Sequence, residues 1–141
     1  MNLGESIRSA EKENLQTLED FFTETWGYTR LSSHDMDHHR RVWSYAKELL
    51  EVINSHGETF YPEFPGKLLI ACYLHDLGMS VDKEIRHGIH SRELCRLFLK
   101  KNNLDESDYR DLLDAVEHLD YKEYGTNESA KYEILRKLSA A

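Results

Sequence analysis

A histidine and an aspartate follow the most apolar stretch of the chain, residues 68–79, which read LLIACYLHDLGM. Placing the imidazole of His75 and the carboxylate of Asp76 at the edge of an apolar core is unfavourable unless each is paired, hydrogen-bonded or bound to a metal. Adjacent helix residues point about 100° apart, so both can reach one ion only near a helix end, where Gly78 puts them. The pair predicts a metal site at the end of this helix.

The helical positions of the other histidines indicate which of them face the core. His38 lies on the stripe that the spacing predicts to face the core, together with Val42, Tyr45, Ala46, Leu49, Leu50 and Ile53. Taken alone, a histidine at such a position is more often a core residue than a ligand. We expect His39, on the polar side of the same helix, and His56, in a loop, to be solvated.

Composition limits the class of protein to which such a site can belong. The chain has 141 residues, of which 40% are hydrophobic and 31% charged, and these values suit one globular domain. The start of the chain does not read as a signal peptide and no stretch approaches the ~20 apolar residues of a membrane span, so a cytoplasmic location without membrane contact is expected. A net charge of -8 disfavours long nucleic acids, although a small phosphorylated ligand remains possible through a metal. Cys72 and Cys95 are expected to be reduced core residues.

The elements that must position these residues all read as helices. The pattern predicts helices over 5–26, from Ser33 to about Ile53, through the apolar stretch, and over 88–101, 106–121 and 127–141. Residues 54–66, NSHGETFYPEFPG, contain both prolines and are expected to form the main loop. We find no alternating strand pattern, so we expect an all-α fold, one compact helical domain of about five to six helices.

Two motifs together resemble those of a known family. HDMDHHRRVW at 34–43 contains an H-x-x-R-V element of His38, Arg41 and Val42, and ACYLHDLG follows at 71–78. The pair is similar to the HD-domain superfamily of metal-dependent phosphohydrolases. The resemblance continues through HGIHSRELCRLFL at 87–99 and AVEHLDYKEYG at 115–125, and so covers about residues 28–141.

The resemblance implies that His38, His75 and Asp76 hold a divalent metal ion. Imidazole and carboxylate ligands suit Mn, Fe, Co, Ni or Zn, and Mg is also kept open, so the sequence does not choose the ion. A bound ion can lower the pKa of its water to about 7 and so produce a nucleophile for phosphorus. Asp76 is the predicted catalytic residue, as a ligand and as the acceptor of the proton from that water.

Some members of the superfamily bind a second ion. The matching positions here are His87, with His90 as the alternate in register, and His118. Helical periodicity partly disagrees with His118 as a ligand. The apolar stripe passes through Asp120 and not through His118; its other members are Tyr109, Leu112, Leu113 and Val116. One or two ions therefore remain open.

The sequence departs from the family pattern after the second motif. Members often carry a lysine after H-D-x-G, and here this position is Met79. A contact to the substrate phosphate then falls to Lys83 or Arg86, and Arg41 in the first motif is a third candidate.

A second departure concerns the last metal ligand of the family, an aspartate in a helix further downstream. The chain ends in EILRKLSAA, with Ile134, Leu135 and Leu138 at helical spacing and no stop signal. We expect the domain to be truncated there, with the aspartate due soon after Ala141. Otherwise Asp120 is the nearest substitute.

The resemblance implies hydrolysis of a small phosphoester, and a nucleotide is the expected substrate class. A non-catalytic nucleotide-binding or regulatory domain is an alternative, suggested by Met79 and the missing aspartate. A di-iron oxygenase of the HD type is another, which would need His118 together with His87 or His90. The sequence does not identify the substrate or the oligomeric state.

Overall fold

The structure, a computed structural model, describes residues 2–26, 36–77 and 87–118. Its helices are α1 (Leu3–Trp26), α2 (Met36–Ser55), α3 (Phe64–Leu74), α4 (His87–Lys101) and α5 (Arg110–His118), and a 3₁₀ turn, Glu106–Tyr109, precedes α5. These ranges contain no strand, which confirms the predicted all-α fold. None of the described helices combines the length and the apolar composition needed to cross a membrane.

The predicted helix bounds agree with the observed ones to within a few residues where they can be compared. The largest difference is at 106–121, which the structure divides into the 3₁₀ turn and α5. Asp105 caps this turn by accepting a hydrogen bond from the backbone N–H of Ser107, at 3.0 Å. The predicted helix 127–141, with its apolar residues and the expected truncation, lies outside the described residues.

Helix α3 is the centre of the domain and contacts α1, α2, α4 and α5. Apart from Gly66 and Lys67, all of its residues are buried, as expected for a helix that is apolar on every side. It begins earlier than predicted, because Pro65 stands in the first turn, where its missing N–H is not needed. The predicted loop therefore shortens to the segment between Ser55 and Phe64.

Helix α2 is rotated relative to the prediction. Its buried residues are His39, Val42, Trp43, Ala46 and Leu50. Tyr45, predicted to face inward, is 56% exposed, and His38 is only half-buried. Trp43 explains the rotation: its large indole is buried and donates a hydrogen bond of 2.9 Å to Oε2 of Glu11 on α1.

A carboxylate on α1 joins the first three helices. Glu19 accepts two hydrogen bonds from the guanidinium of Arg40 on α2, at 2.9 and 3.0 Å, and one of 2.9 Å from the hydroxyl of Tyr73 on α3. The bonds from Arg40 lower the pKa of Glu19, burial opposes them, and the bond from Tyr73 adds to the lowering. This junction fixes α2 against the carboxyl end of α3, where the candidate site lies.

Candidate metal centre

His75 follows the last residue of α3 and is almost completely buried. Its Nδ1 lies 3.0 Å from the carbonyl oxygen of Ala71 and 3.2 Å from that of Cys72. A carbonyl only accepts, so Nδ1 carries the proton and donates to these oxygens, which belong to the last turn of α3. The lone pair of neutral His75 is therefore on Nε2.

The carboxylate of Asp76 faces that lone pair. Oδ2 of Asp76 lies 3.2 Å from Nε2 of His75, and the Asp76 side chain is 15% exposed. Burial by itself lowers the pKa of His75, but the Asp76 carboxylate and the carbonyls of Ala71 and Cys72 raise it overall. Apart from this carboxylate, Nε2 of His75 has no polar partner among the described residues. Nε2 of His75 and Oδ2 of Asp76 are both electron-pair donors and lie 3.2 Å apart. A cation between them, either a proton or a metal ion, would be stabilised by both.

His75 and Asp76 provide the types of ligand atom that divalent metals bind in proteins. An imidazole that binds a metal through one nitrogen usually donates the N–H of the other to a carbonyl or carboxylate, as His75 does. Imidazole nitrogen together with carboxylate oxygen suits Mn, Fe, Co, Ni and Zn. His75 and Asp76 are therefore the residues that would hold an ion here.

His39 lies beside this pair, on α2. It is completely buried, so the prediction that it is solvated is wrong, because the rotation of α2 turns it inward. Its Nδ1 donates to the carbonyl of Cys72 at 2.9 Å, and its Nε2 has no hydrogen-bond partner among the described residues. Burial lowers the pKa of His39 to about 3, and the charge of His75 contributes in the same direction. The imidazole of His39 is neutral.

The ring of His38 lies against that of His39 on α2. The ring centroid of His39 lies 5.2 Å from that of His38 and 5.7 Å from that of His75. Across 2–26, 36–77 and 87–118, no group of three or more His, Cys, Asp or Glu side chains is arranged to hold a metal ion. The convergence of His38 with His75 and Asp76 on one ion stays a prediction.

The positions predicted for a second ion lie at two adjoining helix ends. His87 is the first residue of α4 and His118 the last of α5, while their side chains lie outside the described part of the chain. Gly88 packs so closely on α5 that a Cβ at this position would lie 2.2 Å from the carbonyl oxygen of Glu117. The start of α4 therefore lies against the end of α5. His90 is half-buried on α4.

Of the residues predicted to bind the substrate phosphate, Arg41 is the one that lies in the described part of the chain. Arg41 is exposed on α2, three residues after His38, and so lies on the same side of that helix. Lys83 and Arg86, like Met79 and Asp120, lie outside the described residues. The sequence analysis does not predict two features of this region. One is the close contact of Gly88 with α5, which a glycine in the first turn of a helix could have indicated. The other is the inward position of His39.

Comparison with known proteins identifies the family. A family model described as HD domain matches residues 36–140. Neither the curated proteins nor the solved structures gave a match. The matched segment includes the end of α3 with His75 and Asp76, the first turn of α2 with His38, and all of α4 and α5. Because it spans well over half of the sequence, the chain belongs to the HD domain family.

Proposed function

We propose that this protein is a metal-dependent phosphohydrolase that acts on a small phosphoester, with nucleotides as the substrate class to test first. HD domains generally bind divalent metals and are generally metal-dependent hydrolases, although some members are non-catalytic. The observation that carries the proposal is the pair of donors at the end of α3, where Nε2 of His75 and Oδ2 of Asp76 lie 3.2 Å apart. His38, His87 and His118 are proposed as further ligands.

A divalent ion held there would supply Lewis acidity toward a phosphoryl oxygen and toward a water molecule. Asp76 is proposed as the catalytic residue, because its partly exposed carboxylate can hold the ion and accept a proton from water. His75 has its Nδ1–H on backbone carbonyls and offers Nε2 in a fixed direction. Arg41, with Lys83 and Arg86, is proposed to bind the phosphate of the substrate.

The partner that this chemistry implies is a small phosphorylated molecule. The net charge of -8 gives the phosphodiester backbone of a long nucleic acid no broad basic surface, whereas one or two phosphates can be held by an ion and an arginine. We therefore propose a mononucleotide or a compound of similar size and not a polymer.

The test uses the full chain with Mn, Co, Ni, Mg or Fe, a panel of nucleotides and a generic aryl phosphate. Wild type is compared with Asp76→Ala and with a control, Asp108→Ala, which removes an exposed carboxylate from the 3₁₀ turn. We expect metal-dependent release of phosphate or pyrophosphate by wild type and control, and none by Asp76→Ala. Equal rates in all three proteins would assign the activity to a contaminant or to another site.

A non-catalytic ligand-binding domain is the second candidate function. It is suggested by Met79, which stands where members of the family often carry a lysine. Nucleotide binding by the metal-loaded protein without turnover of any substrate would select it. An optical spectrum of a mixed-valent iron pair in the purified protein would select an oxygenase instead.

A further inference from the structure

His39 occupies a pocket that an apolar ring would fill. Its imidazole lies edge to face with Phe22, with 4.9 Å between ring centroids, and is roughly parallel to Tyr73 at 6.3 Å. Burying Nε2 without a hydrogen-bond partner is unfavourable, and a phenylalanine would avoid it. Packing alone therefore does not account for a histidine at this position.

An imidazole offers this pocket one group that a phenyl ring lacks, the Nδ1–H. That group donates to the carbonyl of Cys72 at 2.9 Å and so ties the first turn of α2 to the last turn of α3. His75 donates its own Nδ1–H toward the same oxygen at 3.2 Å and toward Ala71 at 3.0 Å. The two imidazoles thus share one acceptor, and His39 has the shorter bond to it.

Sharing the acceptor restricts the ring of His75. With His39 bound to the Cys72 carbonyl, the Nδ1–H of His75 lies between this oxygen and that of Ala71, and its Nε2 faces Asp76. Removing the Nδ1–H of His39 would leave the Cys72 carbonyl to His75 alone and allow the ring to turn. Together with the junction at Glu19, the same bond holds α2, which carries His38, against the end of α3.

We propose that His39 is a positioning residue of the metal centre, which fixes the orientation of the His75 imidazole and the approach of α2 through the shared carbonyl of Cys72. The proposal rests on the proposed function in taking His75 as a ligand. In this role His39 acts through His75 and is not itself a ligand of the ion. Its unpartnered Nε2 is the consequence of placing an N–H at the δ position of a buried ring.

Three substitutions separate the two nitrogens of His39. Asparagine places an amide N–H near the position of Nδ1, glutamine places one near Nε2, and phenylalanine fills the pocket with neither. Trp43→Phe is the matched control, because it also removes a hydrogen bond that α2 makes to another helix, one turn further along the buried face. Binding of Co²⁺ to the full chain by titration calorimetry, and thermal melting without metal, are measured for all five proteins.

We expect His39→Phe to weaken Co²⁺ binding about 10- to 100-fold, as loss of an outer partner of a metal ligand usually does. Its melting temperature without metal should not fall, because the unpartnered Nε2 is removed as well. His39→Asn should restore binding to within about threefold and His39→Gln should not. Trp43→Phe should melt earlier and bind Co²⁺ like wild type, since a purely structural loss leaves the ion's ligands in place.

Wild-type affinity in His39→Phe would overturn the proposal. Restoration by glutamine and not by asparagine would overturn it too, and would make His39 a ligand through Nε2. If His39→Phe does not fold, the comparison of asparagine with glutamine decides. If wild type binds no divalent ion, the proposed function fails. The positioning role is then tested by the tautomer of His75, measured from long-range ¹H–¹⁵N NMR spectra. The Nδ1–H tautomer should dominate in wild type and His39→Asn, whereas an unchanged His75 spectrum in His39→Phe would refute that role.

Discussion

Gly88 on α4 lies directly against the backbone of Glu117 on α5. A Cβ at position 88 would stand 2.2 Å from the carbonyl oxygen of Glu117 and 3.2 Å from its carbonyl carbon, and a real Cβ does not approach backbone atoms so closely. Only a residue without a side chain lets the start of α4 meet the end of α5. His87 and His118 are the chain neighbours of these two residues.

Gly88→Ala should therefore destabilise the protein although alanine is the better helix former. The methyl group meets helix backbone on the other side, so α4 and α5 must separate, at a loss of about 1 to 3 kcal/mol in the free energy of unfolding. Urea denaturation measures it. Gly66→Ala is the control, because its Cβ would lie 3.8 Å from that of Ala10, an ordinary contact, and stability should stay equal or rise by about 0.4 to 1 kcal/mol. Equal stability of Gly88→Ala and wild type would show that the helices are not held this closely.

Helical periodicity and composition were enough to predict the fold. The buried α3 was recognisable as a continuous apolar run, and Leu112, Leu113 and Val116 on α5 are buried as their spacing predicted. Cys72 and Cys95 are free and buried, as expected. Helix α3 begins earlier than the prediction, which assigns both prolines to a loop, because Pro65 suits the first turn of a helix.

Helical spacing alone does not determine which side of α2 faces the core. The stripe through His38 and Tyr45 and the stripe through His39 and Trp43 are neighbours on the helix, and both contain Val42 and Ala46. Burial of Trp43 against Glu11 decides between them, and this contact joins residues 32 positions apart. His39 and His75 can share the carbonyl of Cys72 only in this orientation of α2. A local sequence pattern therefore does not predict the shared acceptor.

The pH dependence of stability provides a second prediction, for Glu19→Gln. The bonds from Arg40 and Tyr73 hold the pKa of Glu19 below its ordinary value of 4.5 in the folded chain. A lowered pKa contributes stability that is present above the unfolded pKa and lost as pH falls through the folded one. Wild type should exceed Glu19→Gln by roughly 1 kcal/mol in the free energy of unfolding at neutral pH.

This difference should shrink as pH falls below about 4.5, when the carboxylate of the unfolded chain and then that of the folded chain takes up a proton. Chemical denaturation at a series of pH values checks it. Glu13→Gln, which alters an exposed carboxylate on the same helix, should show almost no difference from wild type. A difference between wild type and Glu19→Gln that grows toward acid would contradict the assignment.

Lys67 supports a third prediction, because it joins α3 to α5. Its Nζ lies 3.2 and 3.3 Å from the two carboxylate oxygens of Asp111 and over the rings of Tyr61 and Tyr109, and its side chain is 12% exposed. Lys67→Met keeps the apolar stem and leaves the Asp111 carboxylate without this ammonium. We expect a loss of about 1 to 3 kcal/mol in urea denaturation.

A double-mutant cycle with Asp111→Asn isolates the ion pair from the packing of the stem. The double variant should be more stable than the sum of the two single losses predicts, because the second substitution removes the negative charge whose ammonium partner the first removed. Additive losses would mean that the pair contributes nothing and that the rings hold Lys67 in place.

Metal-dependent stabilisation gives the last prediction and separates binding from turnover. A ligand that binds only the folded state at about 100 times its Kd adds roughly 2.7 kcal/mol, which for a domain of this size raises the melting temperature by about 5 to 10 °C. We expect Mn²⁺ or Co²⁺ to produce such a rise in wild type and in Asp108→Ala, and a chelator to reverse it. Asp76→Asn should lose the rise because one of the two donors at the end of α3 is gone.

Without metal, Asp76→Asn should melt within about 3 °C of wild type, since the side chain is partly exposed, follows the buried run of α3 and leaves no cavity when its charge is removed. The same scan on His38→Ala tests whether α2 contributes a ligand, and the rise should then be reduced. A full rise in Asp76→Asn would place the ion elsewhere. A full rise in His38→Ala together with its loss in Asp76→Asn would restrict the site to the end of α3, and the histidine from α2 would have to be removed from the ligand set.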